Sequence, residues 1–494
     1  MNAGRVYDRV YGEIHLPPLC AGIVATPEFH RLDDIRQLGG CSFVYPSASH
    51  TRREHSIGVC HLSGAAVSRL KDLYPRLVDR DDILCVQIAG LVHDLGHGPF
   101  SHLFEDFMGE DWSHEEMGID ILCLLLERNP HLKPETHFEG DIAKNWKFVS
   151  LLVRGWDDST PWPSEEVGRG IEKSFLTEIV HSKRTGVDMD KVDYLLRDSI
   201  GVLGSTNVFC HRRLLSSLRV GKGNRLCFDE SVAYEVCDIF RMRAKMHRQL
   251  YQHRAVVVVE SLLEELMEVT DSVLCLRDKA RDPTSFLSLT DSFVLCQKYT
   301  EDDRFEGRPR DVFCSLFRRP WFYRVPLSVS LRTRPYCKLC LQPTRPTDTF
   351  CGSCGHETSD RPASSLSDGS LVTPECMIQR EQVEEYLHSR TDISGIRVHI
   401  VDFTCGPCTR TPDSQGRMWR EHHPLRQVPF FSHTGDIVHM SEQSFLVPET
   451  RHVRTVYCHL PVDTSSHTKK EAIEAFREWG STVGHVTEER MGLQ

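Results

Sequence analysis

The stretch His93-Asp94-Leu95-Gly96-His97-Gly98-Pro99-Phe100-Ser101-His102 decides the fold, together with the run before it, Ile83-Leu84-Cys85-Val86-Gln87-Ile88-Ala89-Gly90-Leu91-Val92. That run is apolar on almost every face, which is the pattern of a helix buried all round. Its end carries an imidazole beside a carboxylate. His97 is expected one turn later on the same helical face, before Gly98 and Pro99 stop the helix, and His102 follows. One buried histidine is ordinarily a hydrogen-bonded core residue. A His-Asp pair with two more histidines so close must satisfy them with a metal, with polar partners, or with both. Histidine and aspartate are ligands for Zn, Fe or Mn, so the remaining ligands have to come from elsewhere in the chain.

Composition narrows the class. At 494 residues the chain is too long for one small core, and two or three units are expected. Hydrophobic residues make up 40% and charged residues 26%, as in globular proteins that dissolve in water. No apolar run reaches the roughly 18 residues of a membrane span. Met1 to Gly12 is polar and charged, so no secretory signal is expected. Nineteen cysteines are scattered rather than clustered, which fits a reducing compartment, nucleus or cytoplasm, better than a disulfide framework. A formal charge of −11 argues against general attraction to nucleic acid. A polyanion therefore needs a local basic pocket.

Working outward, Thr26-Pro27 reads as a helix start, with that helix ending at Gly39-Gly40. Ser49 to Ser56 precedes a helix through Gly58, Leu62, Ala65 and Leu70, and His55 near its start is a candidate third ligand. Arg52 and Arg53 are candidate phosphate contacts, because a guanidinium fork matches phosphate oxygens. Ser113 and Glu116 have the spacing of a capping box. His114 then falls in a first helical turn, with Glu105 able to raise its pKa. It is a candidate general acid, or else an exposed helix-start histidine. Residues 130 to 170 look loop-rich. Asp190, Tyr194 and Asp198 recur every fourth residue and share a helical face; Asp190 is the candidate fourth ligand and Lys191 a phosphate contact. Residues 218 to 228 read as a hairpin, and Ala233 to Glu268 as one helix. Within it Arg243, His247, Tyr251 and Arg254 form a basic face that suits a nucleotide triphosphate, or else a solvated surface.

Two further features stand outside this region. Cys337-x-x-Cys340 and Cys351-x-x-Cys354 have the spacing of a zinc ribbon, whose four thiolates make a closed structural site. Residues 357 to 375 look like a linker, and Cys405 and Cys408 have no evident partner pair. In the C-terminal part 396–402 and 453–458 alternate like strands, and Lys469 to Trp479 reads as a closing amphipathic helix. The expected architecture is mainly α, a helical core with a smaller α+β C-terminal lobe and an inserted zinc ribbon. Its expected divisions are 1–300, a connecting segment 301–330, the ribbon and linker 331–375, and the lobe 376–494.

Taken together, His55, His93-Asp94 and Asp190 match the H…HD…D signature of the HD metal-dependent phosphohydrolases. The runs Phe29-His30-Arg31-Leu32, Gln37-Leu38-Gly39-Gly40, Arg53-Glu54-His55-Ser56, Gln87 to His102 and Asp190-Lys191-Val192-Asp193-Tyr194 closely resemble the eukaryotic SAM-and-HD-domain deoxynucleoside triphosphate triphosphohydrolases. The resemblance covers about residues 5 to 300 well and 395–480 weakly. No counterpart of the family's SAM domain is expected, and the ribbon reads as an insertion.

The resemblance implies an HD-domain fold and a dGTPase-like phosphoric ester hydrolase that converts deoxynucleoside triphosphates to deoxynucleoside and triphosphate, controlling their pools. It implies a metal on His55, His93, Asp94 and Asp190, which would be Fe, Mn or Zn, with Mg accompanying the triphosphate. It assigns triphosphate contacts to Arg52, His102, Lys191 and Arg243, and places His97 near the α-phosphate. Gln37, Leu38, Tyr194, Asp198 and Tyr251 would recognise the sugar, an aromatic ring beneath it leaving no room for a 2′-hydroxyl. His114 matches the family's proton donor, with Glu105 where the family has aspartate. At the family's guanine-nucleotide pocket this chain has Ala25, His30 and Asp33, keeps Arg213, and has Asp229 and Ser231 where basic residues are expected. Activation by guanosine triphosphate is therefore expected to be lost or altered. The expected partners are deoxynucleoside triphosphates and further copies of the chain in a dimer or tetramer, with single-stranded nucleic acid admissible and no membrane. The alternatives are another HD-type nucleotide phosphohydrolase, a 5′-nucleotidase or phosphodiesterase, and a nucleic-acid-binding protein with a vestigial HD site.

Overall fold

The computed structural model describes residues 4–205, 208–317, 323–332, 380–391, 396–404, 410–412, 418–421, 428–432, 437–439, 452–461, 465–483 and 486–488. The chain divides into two compact units, each discontinuous in sequence: residues 1–318 with 406–447, and 319–405 with 448–494. This differs from the linear division expected. Residues 301–330 are not merely a connector. They contain a helix, Arg308–Phe317, that packs on the long helix Arg254–Leu274, and the start of the strand Tyr323–Arg332 that belongs to the second unit. The ribbon cysteines Cys337, Cys340, Cys351 and Cys354, the 357–375 linker, and Cys405 and Cys408 lie outside the described residues.

The first unit is mainly helical. It opens with a hairpin, β1 (Gly4–Asp8) and β2 (Gly12–Leu16). The helices follow as α1 (Pro18–Val24), α2 (Pro27–His30), α3 (Arg52–Leu73), α4 (Arg80–Val92), α5 (His102–Met108), α6 (His114–Arg128), α7 (Ile142–Arg154), α8 (Ser164–Val167), α9 (Thr177–Val180), α10 (Met189–Leu203), α11 (His211–Ser217), α12 (Ala233–Met246) and α13 (Arg254–Leu274). α4 is the centre of the packing. It lies against α3 and α7, so Cys85, Val86, Ile88, Ala89 and Leu91 are fully buried, and this explains why its sequence has no polar stripe. Its start is fixed by a reciprocal cap. The Asp79 carboxylate accepts from the Asp82 N–H at 2.9 Å, and the Asp82 carboxylate from the Asp79 N–H at 3.0 Å, an arrangement typically contributing ~1 kcal/mol.

Several local expectations change. α4 stops at Val92, before rather than at Gly98. Residues 93–101 run as turns, with the His97 N–H bonded to the Asp94 carbonyl at 3.1 Å. His97 is thus brought round by a turn, not by a helical face. Gly96 has a steric role here, since a Cβ on it would lie 2.0 Å from the His114 carbonyl oxygen and 2.3 Å from the Gly118 nitrogen of α6. The Thr26-capped helix is only α2, followed by a 3-10 turn, Arg31–Asp34, and extended backbone at Ile35. The 130–170 region holds α7, whose Asn145, Phe148, Val149, Leu152 and Val153 are buried at helical spacing. The expected helix from Ala233 to Glu268 is interrupted by a π turn, His247–Tyr251, before His253 caps α13. The hairpin at 218–228 forms as expected, Arg219–Gly221 against Arg225–Asp229, and its second strand pairs in parallel with Phe430–Phe431.

The second unit is α+β. A four-stranded antiparallel sheet runs in the order Val486–Glu488, Tyr323–Arg332, His452–Pro461, Arg397–Thr404. Val456, Cys458 and Leu460 alternate into one face with Val398, where they pack with Val383 and Leu387 of helix Arg380–Arg390 and Phe476 and Trp479 of helix Ser466–Val483. No described helix is long and apolar enough to cross a membrane.

Candidate active site

Four of the expected residues meet at one point. His55 comes from the first turn of α3, His93 and Asp94 from the C-terminal end of α4, and Asp190 from the first turn of α10. The Asp188 carboxylate caps α10 by accepting from the Lys191 N–H at 2.9 Å, which fixes the turn that carries Asp190. His55 Nε2 lies 3.0 Å from Asp190 Oδ1 and 3.5 Å from Asp94 Oδ2. His93 Nε2 lies 3.3 Å from Asp94 Oδ1 and 3.6 Å from Asp190 Oδ1.

Both ring nitrogens that face away from this point are tied down. His55 Nδ1 meets the Asp193 carboxylate at 2.8 Å, and His93 Nδ1 meets the Gly90 carbonyl at 3.0 Å. In the neutral rings, donation from Nδ1 leaves each Nε2 with a lone pair directed inward, as in histidine metal ligands. The buried His93 Nε2 has no hydrogen-bond partner. The electrostatics favour a cation. Burial would lower the His55 pKa, but its hydrogen bonds to Asp190 and Asp193 and the charge of Asp94 raise it to about 10. Asp94 and Asp190 stay well below the ordinary carboxylate range against the upward push of burial, Asp94 through Arg52 and Asp190 through His55 and His93. Two imidazoles and two carboxylates at this spacing could hold one divalent transition-metal ion.

A cationic rim adjoins the cluster. Arg52 bonds Asp94 Oδ2 at 2.6 Å and the Ser101 hydroxyl at 2.9 Å. Lys191 is largely buried and lies 3.4 Å from Asp188; burial would lower its pKa, but the Asp188 carboxylate raises it. Arg243 donates to the Tyr194 hydroxyl at 3.3 Å. His247 is pushed down to about 3 by burial and by the charges of Arg243 and His102, so it faces the rim as a neutral ring. Arg53, expected as a phosphate contact, pairs instead with Asp33 at 2.8 Å, and Arg254 begins α13, beyond the π turn that follows α12.

On the side of His97 the rings form a stack. His97 and His114 lie 3.9 Å apart and nearly parallel, and His97 Nε2 is 3.3 Å from Asp94 Oδ1. Burial first, then the charges of Arg52 and His114, hold the His97 pKa well below the usual imidazole value. Glu105 reaches both neighbours, His114 Nδ1 at 2.5 Å and His102 Nδ1 at 2.8 Å. Burial would lower the His114 pKa, but the bond and charge of Glu105 raise it above the ordinary value. The extra methylene of glutamate does not prevent this contact. Ser113 caps α6 through the Glu116 N–H at 3.3 Å, but Glu116 pairs with Arg154 rather than completing a capping box.

The aromatic part of the site is braced from behind. Asp198 accepts from the Tyr251 hydroxyl at 2.5 Å and bonds His50 Nε2 at 2.8 Å. Gln37 is buried with no partner for its Oε1, and Leu38 packs beside Cys41, Ala48 and Val256.

Sequence reasoning did not single out several residues that hold the site. They include His50 and Asp193, and Asp291, which accepts from the Phe100 N–H at 2.7 Å and the Arg36 N–H at 2.9 Å. Arg31 donates to the Leu95 and His97 carbonyls at 3.3 and 2.7 Å. These contacts brace a loop in which Phe100 and Ser101 have φ of 61° and 62°, a conformation costing about 1–3 kcal/mol per residue and common where function requires it.

Comparison with known proteins agrees with this geometry. Residues 52–157 match the HD domain family model, a span that contains His55, His93, Asp94, His97, Glu105 and His114. The chain is 39% identical over 278 residues to deoxynucleoside triphosphate triphosphohydrolase SAMHD1 of Gallus gallus, covering 53% of this chain and 45% of that protein. It is 35% identical over 325 residues to SAMHD1 of Homo sapiens, 60% of this chain and 51% of that protein. It is 30% identical over 424 residues to SAMHD1 of Xenopus laevis, 79% of this chain and 65% of that protein. The chain thus spans about half the length of the first two relatives and somewhat less than two thirds of the third. It carries an HD domain and is homologous, over much of its length, to SAMHD1-type triphosphohydrolases.

Proposed function

We propose that this chain hydrolyses deoxynucleoside triphosphates to deoxynucleoside and triphosphate, with one divalent transition-metal ion held by His55, His93, Asp94 and Asp190. The observation that carries this reading is the convergence of those four side chains beside Arg52, Lys191 and Arg243. A bound ion would supply Lewis acidity toward a phosphoryl oxygen and lower the pKa of water.

The chain's own residues do the rest. Arg52, Lys191 and Arg243, with His102, bind the triphosphate and neutralise the charge that builds as water attacks the α-phosphorus. His97, kept neutral, hydrogen-bonds near the α-phosphate. His114 gives its proton to the departing 5′-oxygen of the sugar, and Glu105 keeps that proton in place beforehand. Tyr251, fixed through Asp198 and His50, forms a rigid floor under the sugar next to Tyr194, Gln37 and Leu38, while His247 lines the adjoining wall. A floor that cannot retreat disfavours a 2′-hydroxyl.

The test is a panel of deoxy- and ribonucleotides incubated with Mg, Mn or Fe, the phosphate products being resolved by ion-exchange chromatography. Triphosphate from deoxynucleotides, lost in Asp190→Ala, is the expected result. Single phosphate from monophosphates would make the chain a nucleotidase instead. Turnover of no nucleotide, with retained single-stranded nucleic-acid binding, would make the HD site vestigial.

A further inference from the structure

The buried Asp193 is used by no step above, yet it touches a proposed metal ligand. It lies one helical turn after Asp190 on α10. Its carboxylate bonds His55 Nδ1 at 2.8 Å and accepts two bonds from Arg197, from Nε at 2.9 Å and Nη2 at 3.0 Å. The third Arg197 nitrogen, Nη1, donates to Asp8 Oδ2 at 2.9 Å. Asp8 ends β1, and its other carboxylate oxygen accepts from the Val10 and Tyr11 N–H groups of the hairpin turn at 2.7 and 3.0 Å. Arg197, Asp193 and His55 are completely excluded from solvent, and Asp8 nearly so.

Space for this chain of contacts is reserved in α3. A Cβ on Gly58 would lie 2.0 Å from Asp193 Oδ1 and 2.4 Å from Arg197 Nη2. Fully buried ion pairs contribute little net stability, because desolvation offsets their attraction. What they do well is fix geometry. Donation from His55 Nδ1 to Asp193 selects the tautomer whose Nε2 lone pair faces Asp94 and Asp190.

We propose that Asp193, Arg197 and Asp8 are positioning residues, a relay through which the N-terminal hairpin fixes the tautomer and orientation of His55 and so sets the metal affinity of the site. The inference rests on the reading of His55 as a metal ligand, and the experiment separates the two. Binding of Mn²⁺ to the full chain is measured by the electron paramagnetic resonance signal of the free ion, with kcat followed as Mn²⁺ is raised. Asp193→Asn should weaken Mn²⁺ binding by about 10- to 100-fold, and Asp8→Asn by about threefold or more. In both, excess Mn²⁺ should restore most of kcat, which a general loss of structure would not allow. Arg5→Ala, an exposed change on the same hairpin, should leave binding unaltered. Should Asp193→Asn not fold, Arg197→Lys tests the same contact and should also weaken binding.

Wild-type Mn²⁺ affinity in Asp193→Asn and Asp8→Asn, with binding lost in His55→Gln, would overturn the relay and leave the metal reading intact. Equal weakening in Arg5→Ala and Asp8→Asn would also overturn it. Unchanged affinity in His55→Gln would overturn the metal reading and the relay with it.

Discussion

Gly96→Ala is the sharpest probe of how the HD turn and the proton-donor helix are joined. The added Cβ would sit 2.0 Å from the His114 carbonyl oxygen and 2.3 Å from the Gly118 nitrogen. Both are backbone atoms in α6, so no side-chain rotation relieves the clash. The contact must open by about 1 Å to reach 3.0 Å, the shortest distance real Cβ atoms tolerate. α6 carries His114 in its first turn, so the same shift acts on the His97–His114 stack and on the Glu105 hydrogen bond. A displacement of about 1 Å in a catalytic group can cost roughly 100-fold in rate, or about 2.7 kcal/mol in the barrier. The overpacking itself should destabilise the fold by about 1–3 kcal/mol. The assay is steady-state release of triphosphate from a deoxynucleoside triphosphate, with thermal unfolding followed in parallel. The expected outcome is a fall in kcat near 100-fold, with KM changed far less and a folded protein. A variant with wild-type kcat would refute the claim that α6 is held in register by contact with Gly96.

Other consequences follow from the same geometry. Glu105 is held well below the ordinary carboxylate range against burial by its bonds to His102 and His114, and it raises the His114 pKa in turn. Proton donation by His114 is therefore present at low pH and lost as pH rises through its raised pKa. Glu105→Gln should move the alkaline limb of the kcat profile to lower pH, and an unmoved limb would exclude His114 as the donor. Asp291→Ala strips the buried Phe100 N–H and the partly buried Arg36 N–H of their acceptor and should destabilise the fold by about 1–3 kcal/mol, measured by urea unfolding; a change below about 0.5 kcal/mol would show that the loop at Phe100 and Ser101 holds itself. Asp33, which stands where the resemblance places a guanine-nucleotide contact, lines a cavity of about 390 Å³ together with Asp8, Glu54, Arg9 and Arg53. Arg213, kept from the family's set, pairs with Glu235, and Asp229 caps the Ser231 N–H. Guanosine triphosphate should leave both activity and mass in light scattering unchanged, and conversion of an inactive dimer to an active tetramer would contradict this.

Much of the site was legible because its parts are local motifs. His93 and Asp94 adjoin, and Asp190 and Lys191 follow a capping Asp188, so short windows carry each group of ligands to one place. The supporting residues were harder to see. Asp193 and Arg197 lie four residues apart on α10 with nothing in the local sequence to mark them as buried, and the contact with Gly58 of α3 is what encloses them. α7 escaped notice because its apolar stripe lies among Pro, Trp and charged residues that resemble a loop. The break between α12 and α13 has no Gly or Pro to announce it. It is a π turn, a distortion that recurs at functional sites, and it interrupts the regular helical spacing on which Arg243, His247, Tyr251 and Arg254 were expected to share a face. The discontinuous units were invisible for a different reason: the pairing of Phe430–Phe431 with Arg225–Asp229 joins short segments about 200 residues apart, and no local pattern encodes such a partner.

In the proposed reaction water attacks the α-phosphorus beside His55, His93, Asp94 and Asp190, which would hold the metal ion, while His114 protonates the departing sugar oxygen. Hydrolysis of a deoxynucleoside triphosphate in ¹⁸O-enriched water, with both products weighed by mass spectrometry, tests it most directly. One ¹⁸O is expected in the triphosphate and none in the deoxynucleoside. Label in the deoxynucleoside, or a labelled single phosphate in place of triphosphate, would contradict it.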